Sequence, residues 1–410
     1  MTLSRFGRRY GSVVALSAIG LATLAGCGSN GGGDSSAGAN GVTATTIKLG
    51  GTTPLSGPLG AGCHQIDGAT EAWLKYVNSK GGVKGRQIEW QLLDDAYDPT
   101  RAAANARKLE ASDIFAIFGG CGSLQPPAIM PIAQSSKVPY LFPVAPLSDV
   151  YSPVKPGIFG ARVSYADSFV TLLQYALSTY GPGTVSSVLI QTPGIDKGID
   201  DMKALVSKQG GEFNDNGLIT AGTPDFTPYV LKLKQQNPDY VVINLTVGDQ
   251  AKFLAAADEA GFSPKKKYLN AAASMADSSV TDQFQRGDKN TLAGKVLASS
   301  EMLPSNEKES ADCNEAIKKY APDLTLGMTE MTGCLVGEYL TGALEMTPDP
   351  LTRESFIKTL ESLDNATLAA NAGPVTMSPS NHLATSSLFL LELRDDGQFH
   401  KLTSVPLTGN

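Results

Sequence analysis

Histidine and tryptophan are scarce in this 410-residue chain, with three histidines at His64, His382 and His400 and two tryptophans. The scattered histidines and the five cysteines, none of which stand in C-x-x-C spacing, supply no set with the ligand pattern of a zinc site. Neither a metal nor any other cofactor is expected. Basic charge is also short: 33 Lys and Arg stand against 40 Asp and Glu, for a net charge of −7. An acidic chain has no phosphate-tracking footprint, so nucleic acid is not an expected partner. The common catalytic signatures are missing as well: no G-x-S-x-G, no G-x-x-x-x-G-K-[ST], no H-E-x-x-H, and no G-x-G-x-x-G opening a helix after the first strand. The pair Asp94-Asp95 could divide acid and base roles. Followed by Asp98-Pro99-Thr100, it reads better as the entry to a helix capped by Asp98. An enzyme is therefore not expected.

Long apolar runs are limited to the N-terminus, where Arg5, Arg8 and Arg9 precede an apolar stretch from Val13 to Leu24 and a series of small residues. This is the layout of an export signal. The stretch is shorter than the roughly 20 apolar residues that span a bilayer. Its end, Leu24-Ala25-Gly26-Cys27, resembles the lipobox of bacterial lipoproteins, which implies cleavage after residue 26 and lipidation of Cys27. Residues 28–44 are almost entirely small and polar, the composition of a flexible leash, and ordered structure is expected from about Thr45. The expected location is the extracytoplasmic face of the cell membrane, held there by lipid. Removal of residues 1–26 takes away three arginines and no acid, which leaves the chain more acidic still.

An exported chain lives where disulfides persist, and the four cysteines beyond Cys27 allow three connectivities. Proximity and the α/β order described next favour Cys63 with Cys121 and Cys313 with Cys334. Four buried thiols are the alternative.

From Ile47 the chain alternates short apolar runs with helical periodicity: Ile47 to Gly50, a helix over 67–78, Ile88 to Leu93, a helix over 100–109, Ile114 to Phe118, a helix from about Gln125, then Val138 to Phe142. β-α-β-α-β order implies a mostly parallel sheet with helices on both faces. A Pro- and Gly-rich stretch from Pro153 to Gly160 reads as a crossing. The alternation then starts again, with helices over 167–180, 198–208, 228–235 and 250–260 and strands at 185–190, 217–220 and 240–244. The part after Leu297 is more helical, with segments 313–320 and 331–346, and ends in a hairpin-like pair around 386–393 and 399–402. Two tandem α/β lobes are expected, with ligand outside the carboxyl ends of their strands. Gly-rich turns such as Gly119-Gly120-Cys121-Gly122-Ser123 suit close approach of backbone to a small molecule.

Five runs in order carry a family likeness: P-L-S-G-P at Pro54 to Pro58, N-S-K-G-G-V-K-G-R at Asn78 to Arg86, D-D-A-Y-D-P at Asp94 to Pro99, A-R-K-L-E at Ala106 to Glu110, and D-F-T-P-Y-V-L-K-L-K at Asp225 to Lys234. Together they resemble the solute-binding lipoproteins of ABC importers, of the branched-chain amino-acid (leucine-binding) type, from Ile47 to Phe399. The resemblance implies a type I periplasmic-binding-protein fold: two Rossmann-like lobes with mostly parallel sheets, three hinge crossings and a ligand cleft between them. It places 45–160 with 298–385 in one lobe and 161–297 with 386–410 in the other. It further implies capture of a small molecule by a monomer and delivery to membrane permease and ATPase subunits. A ligand-binding sensor of the same fold is the alternative.

Carried over position by position, the family's site falls on Cys121, Gly122, Ser123, Val144, Ala145, Pro146, Gln191, Ile195, Asn244, Thr246, Ala272 and Ser274. Ser123 matches a serine that takes the ligand's α-carboxylate in amino-acid binders. Pro146 stands where a threonine would join it, Ile195 and Thr246 replace tyrosines, and Ala272 replaces the acid that holds the ammonium. A buried cation without an anion is strongly disfavoured, so an α-amino group should be accepted poorly unless Asp196 or Glu330 substitutes. An uncharged or acidic solute is expected instead. The loop Leu59-Gly60-Ala61-Gly62, with Cys63 and His64 after it, stands at the cleft mouth. A Cys63–Cys121 bridge would pin two mouth loops, and His64 is a candidate donor to ligand.

Overall fold

The computed structural model describes residues 41–57, 59–271 and 278–408, with backbone only at 278 and 279. The expected signal, Cys27 and most of the leash lie outside the described residues, as do Ala272 and Ser274.

The first lobe begins with β1 (Thr46–Thr53), α1 (Gly60–Ser79), β2 (Gln87–Asp94), α2 (Pro99–Glu110), β3 (Ala116–Phe118), α3 (Pro126–Ser136), β4 (Tyr140–Leu141) and β5 (Ile158–Phe159). Its sheet has the order β2-β1-β3-β4-β5, parallel throughout. Asp98 caps α2 as the sequence suggests, accepting from Thr100 N at 2.7 Å and Arg101 N at 3.0 Å, with Pro99 at the first helical position.

The second lobe continues with α4 (Tyr165–Tyr180), β6 (Val185–Ile190), α5 (Ile195–Lys208), β7 (Phe213–Asn214), β8 (Leu218–Ile219), α6 (Thr227–Gln236), β9 (Tyr240–Asn244), α7 (Val247–Glu259), β10 (Lys267–Asn270), α8 (Ser278–Thr281), the small pair β11 (Gln285–Arg286) and β12 (Lys289–Asn290), and β13 (Val296–Ser300). After α9 (Ala311–Tyr320), α10 (Met328–Met346) and α11 (Arg353–Leu360), the chain ends in β14 (Ser387–Leu393) and β15 (Phe399–Pro406). The second sheet runs β15-β14-β13-β10-β9-β6-β7, with β8 also on β6; its core is parallel and β14 and β15 are antiparallel. Three of its strands, β7, β10 and β13, and the helices α8 and α11 go beyond the elements read from the sequence.

The helices α9 and α10 return to the first lobe and pack on α1. Close approach there depends on glycine: a Cβ on Gly333 would lie 2.1 Å from the Ile66 carbonyl oxygen. Gly337 meets Trp73 in the same way, at 2.7 Å. The backbone itself is the contact surface, so α10 is buried along nearly its whole length.

Three segments connect the lobes and are bonded to one another. Gly160 N donates to the His382 carbonyl and Ala384 N to the Gly160 carbonyl, each at 2.9 Å, which joins the first crossing to the last. Arg162 Nε donates to Glu301 Oε1 at 2.9 Å, and Val163 N to the same oxygen at 3.1 Å, which joins the first to the second.

Candidate functional site

Parallel strands of one lobe point their carboxyl ends at those of the other, and a cavity of about 380 Å³ lies between. Loops after β3 and β4 contribute Cys121, Gly122, Ser123, Val144 and Pro146; the ends of β6 and β9 contribute Ile190, Gln191, Thr192, Asn244, Leu245 and Thr246. Leu59 and Ile66, at the start of α1, and Ala221 complete the outer wall. Tyr97, Arg162 and Tyr165 also line the cavity, and like Ile66, Ile190, Thr192, Ala221 and Leu245 they were not among the site residues expected from the sequence.

Eight of the twelve residues carried over by resemblance line this cavity: Cys121, Gly122, Ser123, Val144, Pro146, Gln191, Asn244 and Thr246. Ala145 does not. Extended backbone alternates its side chains, so Val144 and Pro146 face the cleft while Ala145 packs with the core that includes Ile129 and Leu147. Ile195 is also absent from the wall. Its helix begins at residue 195 rather than 198, which turns the side chain onto the core shared with Phe169 and Met202. Ala272 and Ser274 lie outside the described residues.

The acids considered as ammonium partners stand elsewhere. Asp196 is exposed in the first turn of α5. Glu330 is buried in the first turn of α10, where it accepts from Gly327 N at 3.1 Å. His64 is exposed on α1 and takes no part in the wall. No carboxylate side chain lines the cavity among the described residues.

The acidic run after β2 has a structural purpose that bears on the site. Asp94 accepts from Ser56 Oγ at 2.8 Å and from the N–H groups of Leu55, Ser56 and Ala96; the Ser56 bond above all, with the Ala96 and Leu55 amides, holds its carboxyl down at about 2. Buried Asp95 accepts from Thr52 Oγ1, Gln125 Nε2 and Tyr97 N. Ala96 and Tyr97 consequently adopt φ of +51° and +65°, a strained conformation for residues with a Cβ. Two carboxylates thus fix a turn that aims Tyr97 into the cleft, and its phenol bonds the Ser123 backbone.

Tyr165 follows Ser164, whose hydroxyl caps α4 by accepting from Asp167 N at 3.1 Å. The cap places the Tyr165 ring at the crossing with its hydroxyl toward the side chains of Thr192 and Ser123, one from each lobe, and burial pushes its phenol up. Thr246 caps α7, accepting from Asp249 N at 3.2 Å, while its hydroxyl hydrogen stays available to the cleft. The Asn244 side chain is buried, and its Nδ2 has no hydrogen-bond partner.

The structure pairs Cys63 with Cys121, at a Cα separation of 5.5 Å, and Cys313 with Cys334, at 5.9 Å. The first pair does not join two loops as the sequence suggested: α1 already begins at Gly60, so the bond ties a helix's first turn to the loop after β3. Beside it, Cys121 N donates to Thr53 Oγ1, which donates to Asp67 Oδ2.

Two parallel sheets that meet across a mixed apolar and polar cleft, joined by three bonded crossings, define a two-lobed ligand-binding protein of type I periplasmic architecture. The chain belongs to the periplasmic binding protein family, whose model matches residues 46–398. It is 26% identical over 344 residues to the Leu/Ile/Val-binding protein of Escherichia coli (strain K12), covering 83% of this chain and 88% of that one. Among solved structures it is similar to a fatty acid ABC transporter substrate-binding protein from Thermomonospora curvata, with TM-score 0.75, 21% identity and coverage of 90% and 94% of the two chains. A branched-chain amino acid ABC transporter protein from Thermus thermophilus with bound valine also matches, with TM-score 0.75, 18% identity and coverage of 89% and 97%.

Proposed function

We propose that this protein captures a small solute outside the cytoplasm and hands it, chemically unchanged, to an ABC importer. The observation that carries this reading is the cavity at the facing strand ends, lined by residues of both lobes, where the Asn244 amide has no partner and the acids near the site are consumed by turns and caps. Ligand would draw together units comprising 45–160 with 298–385 and 161–297 with 386–410, about the three crossings. Lipid on Cys27 and the small-residue segment behind it would keep the domain within reach of its permease. Membrane association should then be lost in Cys27→Ser, read by detergent partitioning. No helix among the described residues is long and apolar enough to cross a membrane.

A ligand that binds only the folded state raises stability in proportion to the logarithm of its concentration over Kd. Thermal-shift screening of the signal-free protein against amino acids, amides, organic acids and sugars should therefore give concentration-dependent upward shifts within one chemical class. Compounds recovered unaltered after incubation agree with capture; turnover, or a complete absence of shifts, defeats it.

A further inference from the structure

We infer that the cleft is built to hold the carboxylate of a small organic acid, with the Arg162 guanidinium as its anchor and no group provided for an α-ammonium. The inference rests on the solute-binding reading above and names the class of solute.

Arg162 is the one cationic side chain in the cavity wall among the described residues, and it is only 6% exposed. A guanidinium carries five N–H donors in a planar fork. Here Nε is taken by Glu301 Oε1 at 2.9 Å and Nη1 reaches Thr332 Oγ1 at 3.3 Å, while Nη2 has no hydrogen-bond partner among the described residues. Glu301 itself does not line the cavity, and its Oε1 also accepts from Val163 N. The carboxylate therefore compensates the guanidinium from behind and fixes its plane, and the remaining donors are left for whatever enters the cleft. An oxyanion in the cleft would gain charge-assisted hydrogen bonds from these donors.

A second, independent group points the same way. From the opposite lobe, Asn244 presents a buried amide whose Nδ2 lacks a partner. The Tyr165 hydroxyl, whose oxygen is met by the side chains of Thr192 and Ser123, adds donor capacity between the two. The rest of the wall is largely aliphatic, so one oxyanion and an apolar body match it. An ammonium would be placed near a fixed cation with no carboxylate in the described wall to receive it. A ligand amino group is thus a liability in this site, whereas a ligand carboxylate fills its open valences.

The test compares matched compounds on several skeletons by calorimetry: 4-methylpentanoate, 4-methylpentanamide and L-leucine; benzoate, benzamide and L-phenylglycine; linear acids and their amides. In the wild-type protein each acid that binds should exceed its amide by about 10- to 100-fold, the value of a charge-assisted hydrogen bond. It should exceed its α-amino counterpart as well. Amides or amino acids that bind as tightly as acids overturn the anchor while leaving capture intact. The same holds if no acid binds while another class does. If nothing binds, both fall. Removing Arg162 alone would strand buried Glu301, so the informative variant is Arg162→Gln with Glu301→Gln. It should retain amide binding and lose the acid-over-amide preference. A purely structural role would weaken acid and amide alike and leave their ratio unchanged, which also overturns the proposal. Arg162→Lys serves as a second variant that keeps the charge but not the fork, and an intermediate preference is expected for it.

Discussion

The two lobes share one architecture and reach it differently. In the second, β6, β9, β13, β14 and β15 have five to eight residues and β10 has four, with only β7 and β8 as short as two. In the first, β1 and β2 have eight residues each, but β3, β4 and β5 have only three, two and two. Short strands contribute few ladder hydrogen bonds, and the first lobe has what the second lacks among the described residues: both disulfides, one at the cleft mouth and one between α9 and α10. It also holds the three carboxyls that burial pushes upward, Asp67, Asp95 and Glu338. Where sheet pairing is thin, covalent links and buried polar groups set the geometry. The first lobe should accordingly be the part of the molecule that redox conditions and pH can loosen.

Reduction should have the largest effect. The bonds close loops with sequence separations of 58 and 21 residues, for which chain entropy gives stabilisation of about 3–4 kcal/mol each. Denaturant unfolding with and without reductant should show a loss of that order. Hydrogen exchange should place it in α1, α9 and α10, while β9, β10 and β13 keep their protection. Loss of protection spread evenly over both sheets would erase the contrast between the lobes.

The pH response comes next. Burial raises Asp67 to about 7 and Glu338 to about 8. Between their unfolded values, near 4 to 4.5, and these folded values, the unfolded chain releases protons that the native chain keeps. Stability therefore falls as pH rises through that window and levels off above about 8. Asp94 works in the opposite sense. Its depressed carboxyl contributes above an ordinary pKa near 3.8, and the contribution is lost as pH falls toward 2. Stability should be greatest slightly above pH 4 and lower at pH 8.5, by at most about 4 kcal/mol for each of the two buried acids. Asp67→Asn and Glu338→Gln should flatten the alkaline side. A melting temperature that stays level from pH 5 to 8.5 in the wild type would contradict the assignment of these carboxyls as buried acids.

Strands β1, β2, β6 and β9 stand out in the sequence because each is an apolar run bounded by turn residues. Strand β10 does not, since Lys265, Lys266 and Lys267 lead into it and only four residues form it. The expected strand over 138–142 shrinks to Tyr140–Leu141: Phe142 still donates its N–H to the Phe159 carbonyl at 2.8 Å, but its φ of +54° turns the chain out of the extended conformation. In the site, the loops after strand ends were readable, and eight of the twelve residues carried by resemblance line the cavity. Arg162 was not: a lone arginine within Ile158–Val163 carries no motif, and its meaning depends on Glu301, brought to it from 139 positions away. Tyr97 was hidden for another reason. The sequence marks Asp94, Asp95 and Asp98 as turn and cap residues, correctly, but not the direction in which their bonds aim the tyrosine between them. Side-chain direction likewise separates Val144 and Pro146 from Ala145. One residue of register decides it, and sequence proximity alone does not fix that register.

The smallest effect offers the sharpest comparison of the lobes. Thr352 caps α11 in the first lobe, accepting from Ser355 N at 3.0 Å, and Thr246 caps α7 in the second. Loss of either hydroxyl should lower stability by about 1 kcal/mol, so Thr352→Ala and Thr246→Ala should unfold at similar denaturant concentrations. Only Thr246 also faces the cavity. Its alanine variant should weaken solute binding by up to about tenfold, the worth of one hydrogen bond, and Thr246→Ser should restore both properties. Thr352→Ala should leave affinity where it was. Equal losses of affinity in the two alanine variants would mean that cap strength tunes the cleft through overall stability, and Thr246 would no longer count as a contact residue.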